Sequence, residues 1–370
     1  MEHFTGIQYI KIAAANEFGM DKLTWQERLN WFDHNVSQLP KLIDAAANKF
    51  LFTKAINAYQ DAISGKPTGY IMSLDATASG LQLMACLSGC KKTAAAVNLI
   101  DSGKREDVYT EVGDGMNILL DPYNQVTRGD VKKPLMTKFY NKSRQDSFTT
   151  EQEIAFNKVL GSSFSGAEDV LDILNDCWDS NALSHSWTTP DGHVAHVKVV
   201  EAVDTRIEVD ELDHTTFTYR YSNNQPSTRH TSLCPNYIHS LDAWVAREML
   251  RMAKKQGFQL AHIHDSFWAS PNHMNNVRSN YKEILADLAD SNALSTFIKD
   301  VTGSNDFISV PMTTQNGRLN TVVVMEESIR SDYYYEVITW TTSEPATYEK
   351  LVKDSTDLSK YILNSEYALS

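Results

Sequence analysis

Two short apolar runs, each delivering an aspartate and 190 positions apart, constrain this chain more than any other feature of its 370 residues. Tyr70 to Leu74 reads as a strand that runs straight into Asp75. Phe258 to Ile263 reads as a second strand, His264-Asp265 as a tight turn, and Ser266-Phe-Trp-Ala as the strand that returns. Strand ends and hairpin tips are places where a rigid scaffold presents a carboxylate at a surface. Taken singly, a strand-end aspartate is most often a turn or cap residue, so the weight falls on what lies between the two.

Most of the intervening pattern is helical. Residues 21–64 show apolar returns at three and four, and Gly65, Pro67 and Gly69 then break the chain. Ser79-Gly80 opens another helical pattern with Leu81, Met84, Ala85 and Leu87 on one side. Residues 131–143 lack an internal glycine and read as a helix, with Pro134 placed in its first turn. Trp187 to Gly192 marks a turn followed by strands, residues 205–222 read as a β-hairpin with Asp210 to His214 near its tip, and residues 241–256 form an amphipathic helix. The expected class is α+β, mostly α.

Between the aspartates, Arg128, Lys132, Met136 and Tyr140 recur at steps of four. Each step overshoots a full turn by about 40°, so the four form one slowly drifting stripe. Two cations at one end of a stripe and an aromatic at the other can clamp phosphates and reach a sugar. The competing reading is a solvated basic face, which Met136 and Tyr140 on the same stripe make less apt. Two separated aspartates suit a two-metal nucleotidyl-transfer centre, in which divalent cations lower the charge barrier to attack on a phosphate. A His/Asp metal hydrolase is the rival for H-I-H-D, and no second spaced His/Asp cluster supports it.

Net charge is -13, which taken alone opposes nucleic-acid binding. Its distribution does not. Six basic residues between Arg128 and Arg144 face one acid, Asp130, while nine acids outnumber four bases in the last 45 residues. A compact basic element on an acidic body fits a channel better than a surface that grips long duplex. Cys86, Cys90, Cys177 and Cys234 form no C-x-x-C pair, consistent with reduced thiols. No apolar run approaches a membrane span, and the N-terminus lacks the layout of a secretory signal.

These segments have a family look. R-G-D-V-K-K-P-L-M-T-K-F-Y resembles the R-x3-K-x7-Y motif of the single-subunit RNA polymerases of phage T7 type, which also work in mitochondria. D-A-T-A-S-G-L-Q resembles that family's first motif and H-I-H-D-S-F its third, while C-P-N-Y-I-H-S-L-D resembles A-P-N-F-V-H-S-Q-D. Weaker likenesses lie in Y-I-K-I-A-A-A-N-E-F-G, A-V-N-L-I…D-V-Y, W-T-T-P-D-G and the final D-L-S-K-Y-I-L-N-S-E-Y-A-L-S. Asn141 stands where the family usually has Gly, residues 301–356 have no counterpart, and the 205–222 hairpin is shorter and acidic at its tip, which argues against promoter reading by it.

The resemblance implies a right-hand polymerase: palm in 1–125 and 236–300, fingers in 126–235, and a C-terminal extension and foot in 301–370. It implies Asp75 and Asp265 as catalytic aspartates on two Mg²⁺ ions, with the Ala76 carbonyl helping and Ser79 and His264 in support. Lys11, Arg128 and Lys132 would hold the triphosphate, with Lys132 as general acid, and Tyr109, Tyr140, His239 and Gly80 would shape the nucleotide site. Gly80 stands where related repair DNA polymerases carry a Glu that blocks a ribose 2′-OH, so RNA synthesis is favoured over DNA synthesis. A catalytically idle nucleic-acid-binding or scaffold subunit is the alternative from another class, and the retained Asp75, Asp265 and Lys132 oppose it. The family's N-terminal domain and thumb have no match here, as in the larger subunit of the two-chain RNA polymerase of N4-like phages. The expectation is therefore a catalytic half completed by a second polypeptide. DNA template, nascent RNA and rNTPs would be its other partners, with room for a single-stranded-DNA-binding accessory. It would involve no membrane and would work in the cytoplasm of a bacterial host.

Overall fold

Strands of four residues are too short to stand alone, and the two aspartate-bearing segments solve this by pairing with each other. In the computed structural model, Met72–Asp75 lies antiparallel to Ser266–Ala269, which pairs on its other side with Leu260–Ile263. The register sets both Asp75 and Ile263 opposite Ser266, so the His264-Asp265 turn falls beside Asp75. One more bond, Ala76 N–H to the Asp265 carbonyl at 3.2 Å, carries the pairing past the end of the strand. The structure describes residues 1–141, 145–227, 232–303, 307–311, 334–341, 347–354 and 357–370.

The end of the chain flanks the same strand. Ala76 bridges Leu369, and the Ser370 N–H donates to the Asp75 carbonyl at 3.0 Å. This tail is anchored by the Tyr367 ring stacked on Trp25 (5.4 Å between centroids) and by Gln82 Nε2 donating to the Ala368 carbonyl at 2.9 Å. Arg278 is buried and donates to the Glu366 carboxylate at 2.8 Å and to the carbonyls of Glu2 and Glu366. Its charge is thus compensated as burial requires.

Around this sheet the fold is mostly helical, with small antiparallel sheets, in keeping with the α+β expectation. Helix Ser79–Ser88 is buried from Leu81 onward, packed among Ser165–Asp176, Leu233–Gln256 and Met274–Asp290. A second, smaller core of Ala14, Phe32, Leu39, Phe52, Ala55 and Ile56 joins the helices Gly6–Ala15, Trp25–Asn35 and Lys49–Ile63. No helix among the described residues is long and apolar enough to cross a membrane.

Two elements differ from the sequence expectation in a way that matters for the site. The basic helix runs Arg128–Lys138 rather than 131–143, because Thr127 caps it reciprocally with Asp130. Pro134 is therefore interior, not in the first turn, and Tyr140 lies in the turn beyond the helix end. The 241–256 helix starts earlier, at Leu233, which brings His239 onto the same rigid rod as Asp242. The hairpin spans Val200–Val209 and Thr215–Pro226 with its tip at Asp210 to His214. In the 301–356 region the backbone forms a three-stranded antiparallel sheet of Phe307–Pro311, Tyr334–Thr341 and Thr347–Asp354, for which the sequence offered no counterpart.

Candidate active site

A cavity of about 840 Å³ opens over the aspartate-bearing sheet, and Asp75, Ala76, Ser79, Gly80, Tyr109, Arg128, Lys132, Tyr140, His264 and Asp265 all line it. Eleven side chains besides Ala76 were expected at the site, and Lys11 and His239 are the two that do not border this cavity. Asp75 and Asp265 form its acidic floor. Asp265 follows His264, whose backbone takes the left-handed conformation (φ 56°) needed to turn between two strands in two residues.

Two of the cations come from the basic helix Arg128–Lys138. Thr127's cap starts the basic helix so that Arg128 is its first residue, near the N-terminus of helix Val108–Leu119. Arg128 Nε bonds Asp107 at 2.6 Å, and its guanidinium lies 5.2 Å from the centre of the Tyr109 ring. Lys132 Nζ sits 6.0 Å from the same ring. Asp107 also caps the helix that carries Tyr109, accepting from its N–H at 3.2 Å. Burial would raise the Asp107 carboxyl, but Arg128 outweighs it and holds the group below the ordinary carboxylate range. Asp107 thus orients Arg128 and Tyr109 together, a role the sequence did not disclose.

At the far end of the stripe, Tyr140 stacks on His239 (5.2 Å, 21°), and His239 meets His264 edge-on at 5.9 Å. His239 thus contacts Tyr140 and His264, both of which line the cavity. Burial pushes the Tyr140 phenol up, with Asp242 and Asp265 adding to it, so it stays a neutral donor. A Cβ on Gly80 would lie 3.6 Å from Ile238 and 3.9 Å from the Tyr140 hydroxyl. Anything longer than alanine would crowd that hydroxyl. Asn141 occupies the left-handed region (φ 67°), where glycine is free and asparagine is the best-tolerated alternative. That is the physical reason why asparagine can stand at this glycine position. Its amide bonds Asn175 at 2.6 Å. Lys142 and Arg144, members of the basic cluster, lie outside the described residues.

The N-terminal contribution differs from the expectation. Lys11 pairs with Asp33 at 2.7 Å and faces the rings of Phe32 and Tyr59, away from the cavity lining. Lys22 lines the cavity instead, together with Glu17, Asp21 and Arg105. The π-helical turn Asn16–Met20, with Gly19 at φ 113°, follows helix Gly6–Ala15 and leads the chain to Lys22. Lys22 is held by Asp21 at 2.7 Å. Glu17 is pushed up to about 7, first by burial and then by Asp75 and Asp21. Arg105 donates to the Ser370 hydroxyl at 2.8 Å, tying the tail to the cavity wall, and burial lowers its guanidinium below the usual range.

A divalent cation fits this floor on its donor set. Mg²⁺ is usually held by one or two carboxylates plus substrate phosphates and water, not by an all-protein cage. Asp75 at a strand end and Asp265 in the turn beside it supply two carboxylates, and Arg128 and Lys132 supply phosphate-binding charge in the same cavity. Among the described residues, the set of three potential ligands already at coordination spacing is Glu208, Asp210 and His214, exposed at the hairpin tip and not in the cavity.

Comparison with known proteins places the chain in a family. A family model described as DNA-dependent RNA polymerase matches residues 3–148 and 157–334. The chain is 23% identical over 397 residues to "DNA-directed RNA polymerase 3B, chloroplastic" of Nicotiana tabacum, covering 90% of this chain and 40% of the relative. It is 26% identical over 370 residues to "DNA-directed RNA polymerase, mitochondrial" of Schizosaccharomyces pombe, covering 78% and 31%. It is 24% identical to "DNA-directed RNA polymerase 1, mitochondrial" of Arabidopsis thaliana, covering 88% and 39%. The chain thus spans about two fifths or less of the length of these relatives.

Proposed function

The chain belongs to the DNA-dependent RNA polymerase family, and from that premise we propose that it carries the nucleotidyl-transfer centre of a DNA-directed RNA polymerase. The observation that supports the proposal is that Asp75, at a strand end, and Asp265, in the turn beside it, line one cavity together with Arg128, Lys132 and Tyr140. On this reading Asp75, Asp265 and the Ala76 carbonyl hold two Mg²⁺ ions. When bound, the metals supply activation of an RNA 3′-OH and charge stabilisation at the α-phosphate. Arg128 and Lys132 bind the triphosphate, and Lys132 donates a proton to the leaving pyrophosphate. Tyr140, held flat on His239, offers a hydroxyl to the ribose 2′-OH in the space left by Gly80. A site built to bond a hydroxyl discriminates against the analogue that lacks it.

In this assignment residues 1–125 and 236–300 form the palm, 126–235 the fingers, and 301–370 the extension and foot. A second polypeptide is the proposed partner in gripping DNA template and nascent RNA. The test is extension of an RNA primer on a DNA template with rNTPs or dNTPs and Mg²⁺, with and without that polypeptide. Asp265→Asn serves as the control. Ribonucleotide extension lost in Asp265→Asn supports the assignment. Equal activity in Asp265→Asn refutes it, and preference for dNTPs selects the DNA-polymerase reading instead.

A further inference from the structure

Asp242 is a carboxylate without a role in the scheme above, yet it touches both halves of the site. It lies on helix Leu233–Gln256 three residues after His239, so the two project from neighbouring positions on one face. His239 takes the Tyr140 ring. Asp242 meets the other two segments: its Oδ2 lies 3.1 Å from His264 Nδ1, and the Ser79 hydroxyl is close enough to its carboxylate to favour the charged form. Ser79 is four residues after Asp75 and begins the buried helix that leaves the Asp75 strand. His264 precedes Asp265, and its Nδ1 is also 3.7 Å from the Asp265 carboxylate.

The exposures rank the three groups as a support would require. Asp242 is the most enclosed, with 16% side-chain exposure, against 34% for Asp265 and 53% for His264. The half-exposed His264 ring is fixed by this contact together with the edge-on His239 ring from the same helix. A largely enclosed carboxylate on a 24-residue helix is, by contrast, a rigid anchor.

We propose that Asp242 is a positioning residue: by holding His264 and Ser79 at once, it locks the Asp265 turn to the Asp75 segment and so fixes the spacing of the two metal-binding carboxylates. The proposal rests on the assignment of Asp75 and Asp265 as metal ligands. Loss of such an outer contact typically weakens metal affinity by about 10–100-fold. A residue that only stabilised the fold would lower the melting temperature without this selective loss.

The experiment is Mn²⁺ binding to the full chain, followed by the electron paramagnetic resonance signal of free Mn²⁺, with melting temperature measured in parallel without metal. Asp242→Asn should weaken the tightest Mn²⁺ site about 10-fold or more, and Asp242→Glu should recover part of the loss. His264→Gln should reproduce the defect, and the double variant should be no worse than either single one, since both remove the same link. Should Asp242→Asn also melt early, His264→Gln carries the decision, because its side chain is half exposed and its loss leaves the core intact. Unchanged Mn²⁺ affinity in His264→Gln and Asp242→Asn, with affinity lost in Asp265→Asn, overturns the positioning role alone. Unchanged affinity in all three, Asp265→Asn included, removes the metal-site assignment and the inference with it. Additive losses in the double variant also overturn the inference, since the two residues would then act separately.

Discussion

Glu17→Gln gives a sharp test of the cavity electrostatics, because it removes a charge and keeps the shape. Glu17 lines the cavity beside Asp21 and Asp75, and its carboxyl is pushed from 4.5 to about 7, mainly by burial, with Asp75 and then Asp21 adding to it. The native protein therefore holds this proton more tightly than the unfolded chain does. Stability is fully retained below about pH 4.5, falls as pH rises through 7, and is level above that. Taken whole, such a shift corresponds to roughly 3 kcal/mol. Because Glu17 is only partly buried and faces a solvent-filled cavity, screening reduces the expected figure to about 1–2 kcal/mol. Glu17→Gln should match the wild type at pH 4.5 and exceed its stability by that amount at pH 8. Urea unfolding at several pH values reads this as a gap in midpoint that opens between pH 5 and 8. Parallel stability curves for the two proteins across that range would refute the reasoning, since they would mean that Glu17 ionises freely beside Asp75.

Three further outcomes follow from the same geometry. Lys22→Ala should raise the KM for rNTPs about tenfold, the loss of one charge-assisted bond, whereas Lys11→Ala should leave it unchanged, as the KM values from primer extension will show. Asn141→Gly should lose only the contact to Asn175 in thermal unfolding, and Asn141→Val should lose about 1–2 kcal/mol more from the left-handed backbone. Tyr140→Phe should relax discrimination against dNTPs in competition assays while leaving the Asp265-dependent chemistry intact, and unchanged sugar selectivity would count against the hydroxyl's role.

The chemistry of this site was legible because each functional group sits in a short run whose residue types say what it can do. Asp75 at a strand end, Asp265 at a hairpin tip and the Arg128–Lys132–Tyr140 stripe need only local periodicity to be read. Two signals were also present but went unused. Thr127-x-x-Asp130 marks the true start of the basic helix, which is why Arg128 rather than Val131 opens it. Asp242, three residues after His239, shares its helical face as soon as the helix is extended back to Leu233.

Lys11 and Lys22 show why the rest was hidden. Both follow helical patterns, both are basic, and a one-dimensional reading has no means of telling which of them faces the cavity. Lys11 is drawn to Asp33 on a neighbouring helix, and Lys22 is reached through a π-helical turn with one glycine at φ 113°, which looks the same in sequence as any other glycine. Non-local pairing is hidden for the same reason. The Asp75 strand is bonded on one side to a turn about 190 residues later and on the other to a tail still further along. Neither partner carries a local mark of that pairing, because backbone N–H and C=O groups are the same at every position. Hence the identities of the carboxylates could be read from the chain, while what sets their spacing could not. That spacing depends on Ser370, Ala76, His264 and Asp242 meeting from four separate segments, and it is at such meetings, more than at the aspartates themselves, that variants of this protein should separate positioning from chemistry.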